Sequence, residues 1–454
     1  MKALFLSTIM FIAAGALSPA AAFCGFYVAK ADADLFNSAS KVVYMRDQDR
    51  SVITMVSDYE GAPAEFAMVV PTPSVLSESQ INITTNALVD HLDAYTAPRL
   101  VEYFDENPCR PIVRERMLAL SAAVEDAGPA AGDKALGVTV EASYTVGEYD
   151  IQILSATQSD GLTTWLTGNG YQLPDGADRA LGQYIRMGMK FFVAKVNLAE
   201  HDKIGGGFLR PLQIAFESPD FMLPIRLGML NAKGPQDLIL FTLTRTGRVE
   251  ASNYPTVKMP TDLEVPLFVE GEFADVYRAG FDAVIAREGG SGVVMEYAWD
   301  MAWCDPCAAD PLSAEQLVEL GAYWLADQLP RPNQRNSQRR IRPSPAQDVF
   351  VTRLHARYDE ESFSEDLMLR VTEDRQNFQG RYIMRHPWKG DVACEAAEGY
   401  FSQLADRFER EAQTLASFTR WDINEIRVKM KAAGQDANYR PTSKPWWEKM
   451  WKED

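Results

Sequence analysis

Two cysteines spaced as Cys304-Asp305-Pro306-Cys307 close the apolar, aromatic run VVMEYAWDMAWCDPC that begins at Val293, and this is the one spacing in the chain that thiol or metal chemistry could use directly. In a thioredoxin-like setting the first cysteine of such a pair is a thiolate, because backbone donors and the dipole at a helix start lower its pKa. Here Pro311 and the capping-box spacing of Ser313-Ala314-Glu315-Gln316 place the next helix several residues after Cys307, which removes that support. The chain then enters an Arg/Pro/Gln stretch instead of the strand and cis-proline strand that a thioredoxin layout needs. A structural disulfide is therefore preferred, with thiol-disulfide exchange by Cys304 and Cys307 as the alternative. The same two residues with His386 and Cys394 could complete a tetrahedral zinc set. That reading is weaker, because cysteines outside the cytoplasm oxidise more often than they bind metal.

The other titratable groups do not converge in the sequence. The four histidines are His91, His201, His355 and His386, and no two stand at the i, i+4 spacing of a metalloprotease helix. His91 lies between Asp90 and Asp93, but helical neighbours one and two steps apart point in different directions. A nucleophile elbow, a P-loop and a dinucleotide fingerprint are all missing from the sequence. Asp32-Ala33-Asp34 lacks the glycine and distal glutamate of a calcium loop. No catalytic residue, cofactor or metal is assigned.

Met1–Ala22 has the build of a secretory signal: Lys2 in the n-region, an apolar stretch from Leu4 to Leu17, and Ala20-Ala21-Ala22 before Phe23. Bulky Phe23 before Cys24 departs from a lipobox. Later apolar runs are each cut by charge, Gly or Pro, so no transmembrane segment is expected in the mature chain, and the protein is expected to be periplasmic or secreted. With 63 acidic against 45 basic residues and a net charge of −18, nucleic acid is excluded as a partner. All five cysteines, Cys24, Cys109, Cys304, Cys307 and Cys394, follow the signal and are disulfide candidates. The expected pairing joins Cys24 to Cys109 and one of Cys304 or Cys307 to Cys394, each end of the chain to a nearby block.

The elements that would position these residues alternate in period. Strand-like runs lie at Cys24–Ala29, Lys41–Met45, Ser51–Asp58 and Glu65–Pro71, read as an antiparallel meander. Helical spacing follows at Thr85–Tyr95, then a hairpin over Val138–Tyr144 and Tyr149–Leu154, two amphipathic helices near Gly161–Leu166 and Ala177–Ile185, and a strand at Phe191–Val196. Leu212–Glu217, Pro224–Leu230 and Asp237–Thr244 are β-like, and Glu272–Arg287 is helical. After the cysteine pair come more strands, a helical region over Ala396–Ala432, and a tail bearing Trp446, Trp447 and Trp451. The domain reading is a signal peptide (1–22), an N-terminal β-rich subdomain (23–125) and a central α+β subdomain (136–330). An exposed linker (331–345) carrying Arg331, Arg335, Arg339, Arg340 and Arg342, C-terminal strands and helices (346–433) and the tail (434–454) follow. The order predicts an α+β fold of antiparallel sheets with flanking amphipathic helices, containing disulfides.

The segments CGFYVAKADADLFNSASKVV, FAMVVPTP, HLDAYTAPRLVEYFDENPC, YDIQILSATQSDGLTTWLTGNGYQLP, WCDPC and RYIMRHPWKGDVAC resemble the bacterial family catalogued as domain of unknown function 2330, from Cys24 to about Cys394. The resemblance implies an exported bacterial protein of mixed fold with no assigned activity, and so carries over no catalytic residue. The function expected is a non-enzymatic binding or assembly module of the cell envelope, its partner an envelope protein or ligand that the sequence does not specify.

Overall fold

The run Phe66–Thr72 (FAMVVPT) is almost wholly apolar because both faces of the strand are covered: Ala67 and Val69 pack beneath helices, Met68 and Val70 against a second sheet. The computed structural model describes residues 26–29, 39–56, 66–110, 140–156, 159–203 apart from 170, 172 and 175, 209–303 apart from 231 and 233, 305, 310–329, and 347–436 apart from 391 and 393.

In chain order, β1 (Phe26–Ala29), β2 (Ala39–Asp47), β3 (Arg50–Met55), β4 (Phe66–Thr72) and β5 (Ile81–Ile83) precede helix α1 (Asn86–Thr96) and β6 (Arg99–Phe104). The middle of the chain holds β7 (Val140–Val146), β8 (Tyr149–Leu154), α2 (Ser159–Gly168), α3 (Ala177–Arg186), β9 (Lys190–Val196) and α4 (Leu198–Lys203). Next come β10 (Leu212–Glu217), β11 (Met222–Leu223), α5 (Arg226–Met229), β12 (Gln236–Thr244), β13 (Val249–Ala251), β14 (Thr256–Lys258) and β15 (Leu263–Val265). Helix α6 (Val269–Arg287), β16 (Val293–Asp300), α7 (Ala314–Glu319), β17 (Phe350–Tyr358), β18 (Leu367–Val371), β19 (Phe378–Gln379) and β20 (Arg381–His386) lead to α8 (Glu395–Thr419) and α9 (Ile423–Ala432).

Two sheets form the centre. A five-stranded sheet runs β1-β4-β9-β8-β7, and a nine-stranded one runs β14-β16-β17-β12-β2-β3-β10-β5 with β19 added to β16. Their facing sides share one core, with Met68, Ile151 and Phe192 from the first sheet and Val42, Ile214, Leu240 and Leu354 from the second. Helices α2 and α3 cover the outer side of the five-stranded sheet through Leu162, Leu166, Leu181 and Tyr184. Helices α1 and α7 cover the far side of the nine-stranded sheet through Leu88, Leu92, Tyr95 and Leu317, which meet Val43, Phe241 and Val351. The molecule is thus helix, sheet, sheet, helix in layers, an α+β fold. Its sheets are mixed: β2 pairs parallel to β12, and the small sheet β15-β20-β6 is parallel throughout.

Helix α8 is amphipathic over its whole length, with Ala397, Phe401, Leu404, Phe408, Ala412 and Leu415 at three and four residue steps on its buried side. It stops where Arg420 turns left-handed (φ 62°), and Asp422 starts α9 by accepting from the N–H groups of Asn424 and Glu425.

Two expectations change. The first four strands are not one meander: β2 and β3 form a hairpin in the large sheet, while β1 pairs with β4 in the other. Its place between β1 and β9 gives β4 backbone partners on both edges, while the helices and the second sheet cover its two apolar faces. The β-like run Pro224–Leu230 contains α5, because the Asp366 carboxylate draws in the N–H groups of Ile225 (3.0 Å) and Arg226 (3.2 Å) and so turns the chain. The expected linker, Arg331 to Arg342 included, and the tail with Trp446, Trp447 and Trp451 lie outside the described residues.

Candidate functional site

Strand β17 reads FVTRLHARY, and its alternation separates two kinds of residue. Phe350, Leu354 and Ala356 enter the core between the sheets, whereas Arg353, His355 and Arg357 stand on the helix side. Its neighbour β16 carries a β-bulge: Met295 lies opposite Leu354 and Tyr297 opposite Arg353, which leaves Glu296 as the extra residue. Met295 and Ala298 keep their places in the inter-sheet core while Tyr297 joins the helix-side core. The bulge therefore aims Glu296 and Tyr297 to the same side. Gly380 holds it from behind, its N–H donating to the Glu296 carbonyl at 2.7 Å.

The result is a line of alternating charges beneath α1 and α6. Glu296 is fully buried, and Arg353 and His355 are only 7% and 6% exposed. One carboxylate oxygen of Glu296 accepts from Arg353 Nε at 2.6 Å. The other lies 2.7 Å from His355 Nδ1 and accepts the Tyr277 hydroxyl. On one side Arg353 continues to Asp93, which Lys41 Nζ meets at 2.8 Å, and Lys41 also reaches Asp90 at 3.2 Å. On the other side His355 Nε2 stands 3.5 Å from Asp237, an ion pair at the limit of hydrogen-bond length. Asp237 in turn holds Arg357 at 2.7 Å, and Arg357 pairs with Asp282. The Phe281 ring stacks on His355 at 3.8 Å.

Burial alone would push the Glu296 carboxyl up, but the neighbouring His355 and Arg353 charges outweigh it and hold the group at about 2. Asp237 is likewise held at about 2, burial being overcome by His355 and Arg357. Burial works against a charged His355, yet Glu296 and Asp237 raise its pKa above the ordinary 6.5. The Tyr277 phenol is pushed well up by burial and by the Glu296 charge, so it donates and does not ionise. In this arrangement the buried polar groups are aimed at one another, and a reacting molecule would have to displace an ion pair to reach Glu296. What it can do chemically is hold β16, β17, β12, α1 and α6 in a single register.

The cysteines fall differently from the expected pairing. Cys109 and Cys394 are bonded to each other, with Cα atoms 5.9 Å apart. That rules out both Cys24 with Cys109 and Cys304 or Cys307 with Cys394. The reason is topological: β6 and β20 run parallel with Phe104 opposite His386, so the segments that follow, carrying Cys109 and Cys394, leave the same end of the sheet. The zinc set fails with it, since the Cys394 sulfur is spent and His386 Nε2 meets Glu102 at 2.8 Å while its ring stacks on Phe104. No group of three or more potential ligands among the described residues is placed to hold a metal.

Cys24, Cys304 and Cys307 lie outside the described residues, as do Asp32 and Asp34. Asp305, inside the Cys-x-x-Cys, is described: it is 8% exposed, and its carboxylate accepts from Tyr297 Oη (3.1 Å) and Gln379 Nε2 (2.9 Å). Helix α7 starts at Ala314, after the Ser313 and Gln316 capping box. His91 lies 2.7 Å from the Asp310 carbonyl and 3.2 Å from Gln316, while Asp90 and Asp93 turn to Lys41 and Arg353, so the three do not converge. His201 is buried. No helix among the described residues is long and apolar enough to cross a membrane.

Sequence reasoning passed over the charge line, although a signal existed. Arg353, His355 and Arg357 recur at period two inside an otherwise apolar strand, and Glu296 is a lone acid in the middle of VVMEYAW. Such residues in a strand covered on both faces have to find one another.

A family model described as an uncharacterized protein conserved in bacteria (DUF2330) matches residues 18–370. That span includes Asp93, Asp237, Glu296, Arg353, His355 and Cys109, and stops short of His386 and Cys394. No curated protein and no solved structure matches the chain.

Proposed function

Since the chain belongs to the bacterial family DUF2330, whose description assigns no activity, its role has to be argued from its own residues, and we propose that it acts outside the cytoplasm as a binding or assembly module of the cell envelope. The observation that carries this reading is the Cys109–Cys394 bridge, which joins positions 285 residues apart. Such a bond persists in an oxidising compartment and is rare in the cytosol. The signal-like Met1–Ala22 agrees with it. The buried charge line supports a module over an enzyme, because the Glu296 carboxylate is engaged by Arg353, His355 and Tyr277 together and the pairing braces the layers.

The test is to express the full chain in a bacterial host and follow its location, its new N-terminus and its turnover. The module reading expects envelope or extracellular protein beginning at Phe23. It expects no thiol-disulfide turnover that depends on Cys304 and Cys307. Protein retained in the cytosol with its leader intact would overturn export. Turnover of a disulfide substrate that is lost in Cys304→Ser would replace the module with an oxidoreductase.

A further inference from the structure

Helix α6 lies over the charge line between two breaks in its own backbone. Glu272 leaves helical geometry (φ −123°, ψ 17°), and beyond the last turn Gly289 and Gly290 both take positive φ (68° and 92°). Ahead of the first break the chain is held: the Leu267 N–H donates to Gln435 Oε1 at 2.7 Å, and Glu272 itself pairs with Lys429. Between the breaks Val276, Val284 and Ile285 belong to a core shared with α8, in which, among the described residues, β17 has no part.

A different set joins α6 to β17. Tyr277, Phe281 and Asp282 stand four and five residues apart, on one side of the helix. The Tyr277 hydroxyl donates to Glu296 and lies 3.0 Å from His355 Nδ1. The Phe281 ring stacks on His355 at 3.8 Å, with the Arg357 guanidinium 5.1 Å from its centroid, and Asp282 pairs with Arg357. His355 is the centre of this set.

Its imidazole stands between two carboxylates, Glu296 at 2.7 Å from Nδ1 and Asp237 at 3.5 Å from Nε2. A neutral ring has a single N–H and would turn a lone pair toward one of them, whereas the protonated ring offers a donor to both. A cation under the Phe281 face also strengthens the stack. The other charges around the ring are taken: Arg353 by Glu296 and Asp93, and Arg357 by Asp237 and Asp282.

We propose that α6 is a hinged cover over the charge line, latched by the proton on His355 and freed to open between Glu272 and Gly289 as that proton is lost. The device rests on the charge line and not on the envelope reading. Burial works against the charged ring, but Glu296 and Asp237 outweigh it and raise the group above the ordinary 6.5. The latch is therefore whole below 6.5 and is lost as pH rises through the docked value.

The test is hydrogen–deuterium exchange of the full chain from about pH 5 to about pH 9, corrected for intrinsic amide rates. It is run in Glu411→Gln, because Glu411, at about 7, otherwise titrates on the neighbouring α8. Opening of α6 should rise by about tenfold per pH unit above the docked value, while α2 and α3, on the outer side of the five-stranded sheet, keep their protection. In Asp237→Asn the rise should begin at lower pH, and in His355→Gln opening should be high and flat. Asp237→Asn, at a half-exposed position, carries the test should His355→Gln not fold. Three results would overturn the proposal: opening of α6 that ignores pH, a rise left unmoved by these substitutions, or a rise shared equally by α2 and α3. The last would make the effect one of global stability.

Discussion

Glu296 owes its position to one extra residue in β16, and that placement has a measurable cost when the charge is removed. Glu296→Gln leaves Arg353 and His355 buried beside a neutral amide, and the expected loss is about 3–5 kcal/mol. It should be read as a lowered denaturant midpoint with an unchanged slope. Glu296→Leu combined with Arg353→Met should recover much of the loss, since a buried pair replaced by apolar groups is often neutral. A second buried carboxyl behaves in the opposite sense. Burial raises Glu411 to about 7 from the ordinary 4.5, against the pull of Arg407. A raised folded value means that its contribution to stability is whole below 4.5 and is lost as pH rises through about 7. Glu411→Gln should therefore match the parent in acid and exceed it at pH 8 by on the order of 2 kcal/mol, measured as unfolding free energy against pH. His355, raised above 6.5, loses its contribution in the same direction, so a shallower slope should survive in the variant.

At the scale of elements, α6 packs tightly on α8, where a Cβ on Gly280 would come within 2.0 Å of the Phe418 ring. Gly280→Ala should destabilise by about 1–3 kcal/mol through overpacking, despite the better helix propensity of alanine, and a lowered melting temperature would show it. Local periodicity made most such elements legible. The helical spacing of Thr85–Tyr95 announced α1, the paired runs Val138–Tyr144 and Tyr149–Leu154 announced the β7–β8 hairpin, and Ser313 with Gln316 announced the start of α7. Illegible were the features set by distant partners. Asp366 turns Pro224–Leu230 into a helix from about 140 residues away, and the Met295–Tyr297 bulge changes which side of the sheet Tyr297 faces without altering the apolar pattern around it.

For the whole molecule, the nine-stranded sheet gathers strands from residues 39–55, 81–83, 212–300, 350–358 and 378–379, so its order could not be read from neighbours in sequence. The cysteine pairing was hidden for the same reason: proximity along the chain favoured Cys24 with Cys109, whereas the parallel pairing of β6 with β20 brings Cys109 to Cys394. A bridge over so long a span constrains the unfolded chain strongly, and Cys394→Ser should cost about 2–5 kcal/mol. Reduction of the parent should reproduce the loss. The most direct measurement of the account is a non-reducing peptide map of the full chain recovered from outside the cytoplasm. The predicted result is a linked pair of peptides carrying Cys109 and Cys394. Either residue found as a free thiol, or joined to Cys24, Cys304 or Cys307, would contradict it.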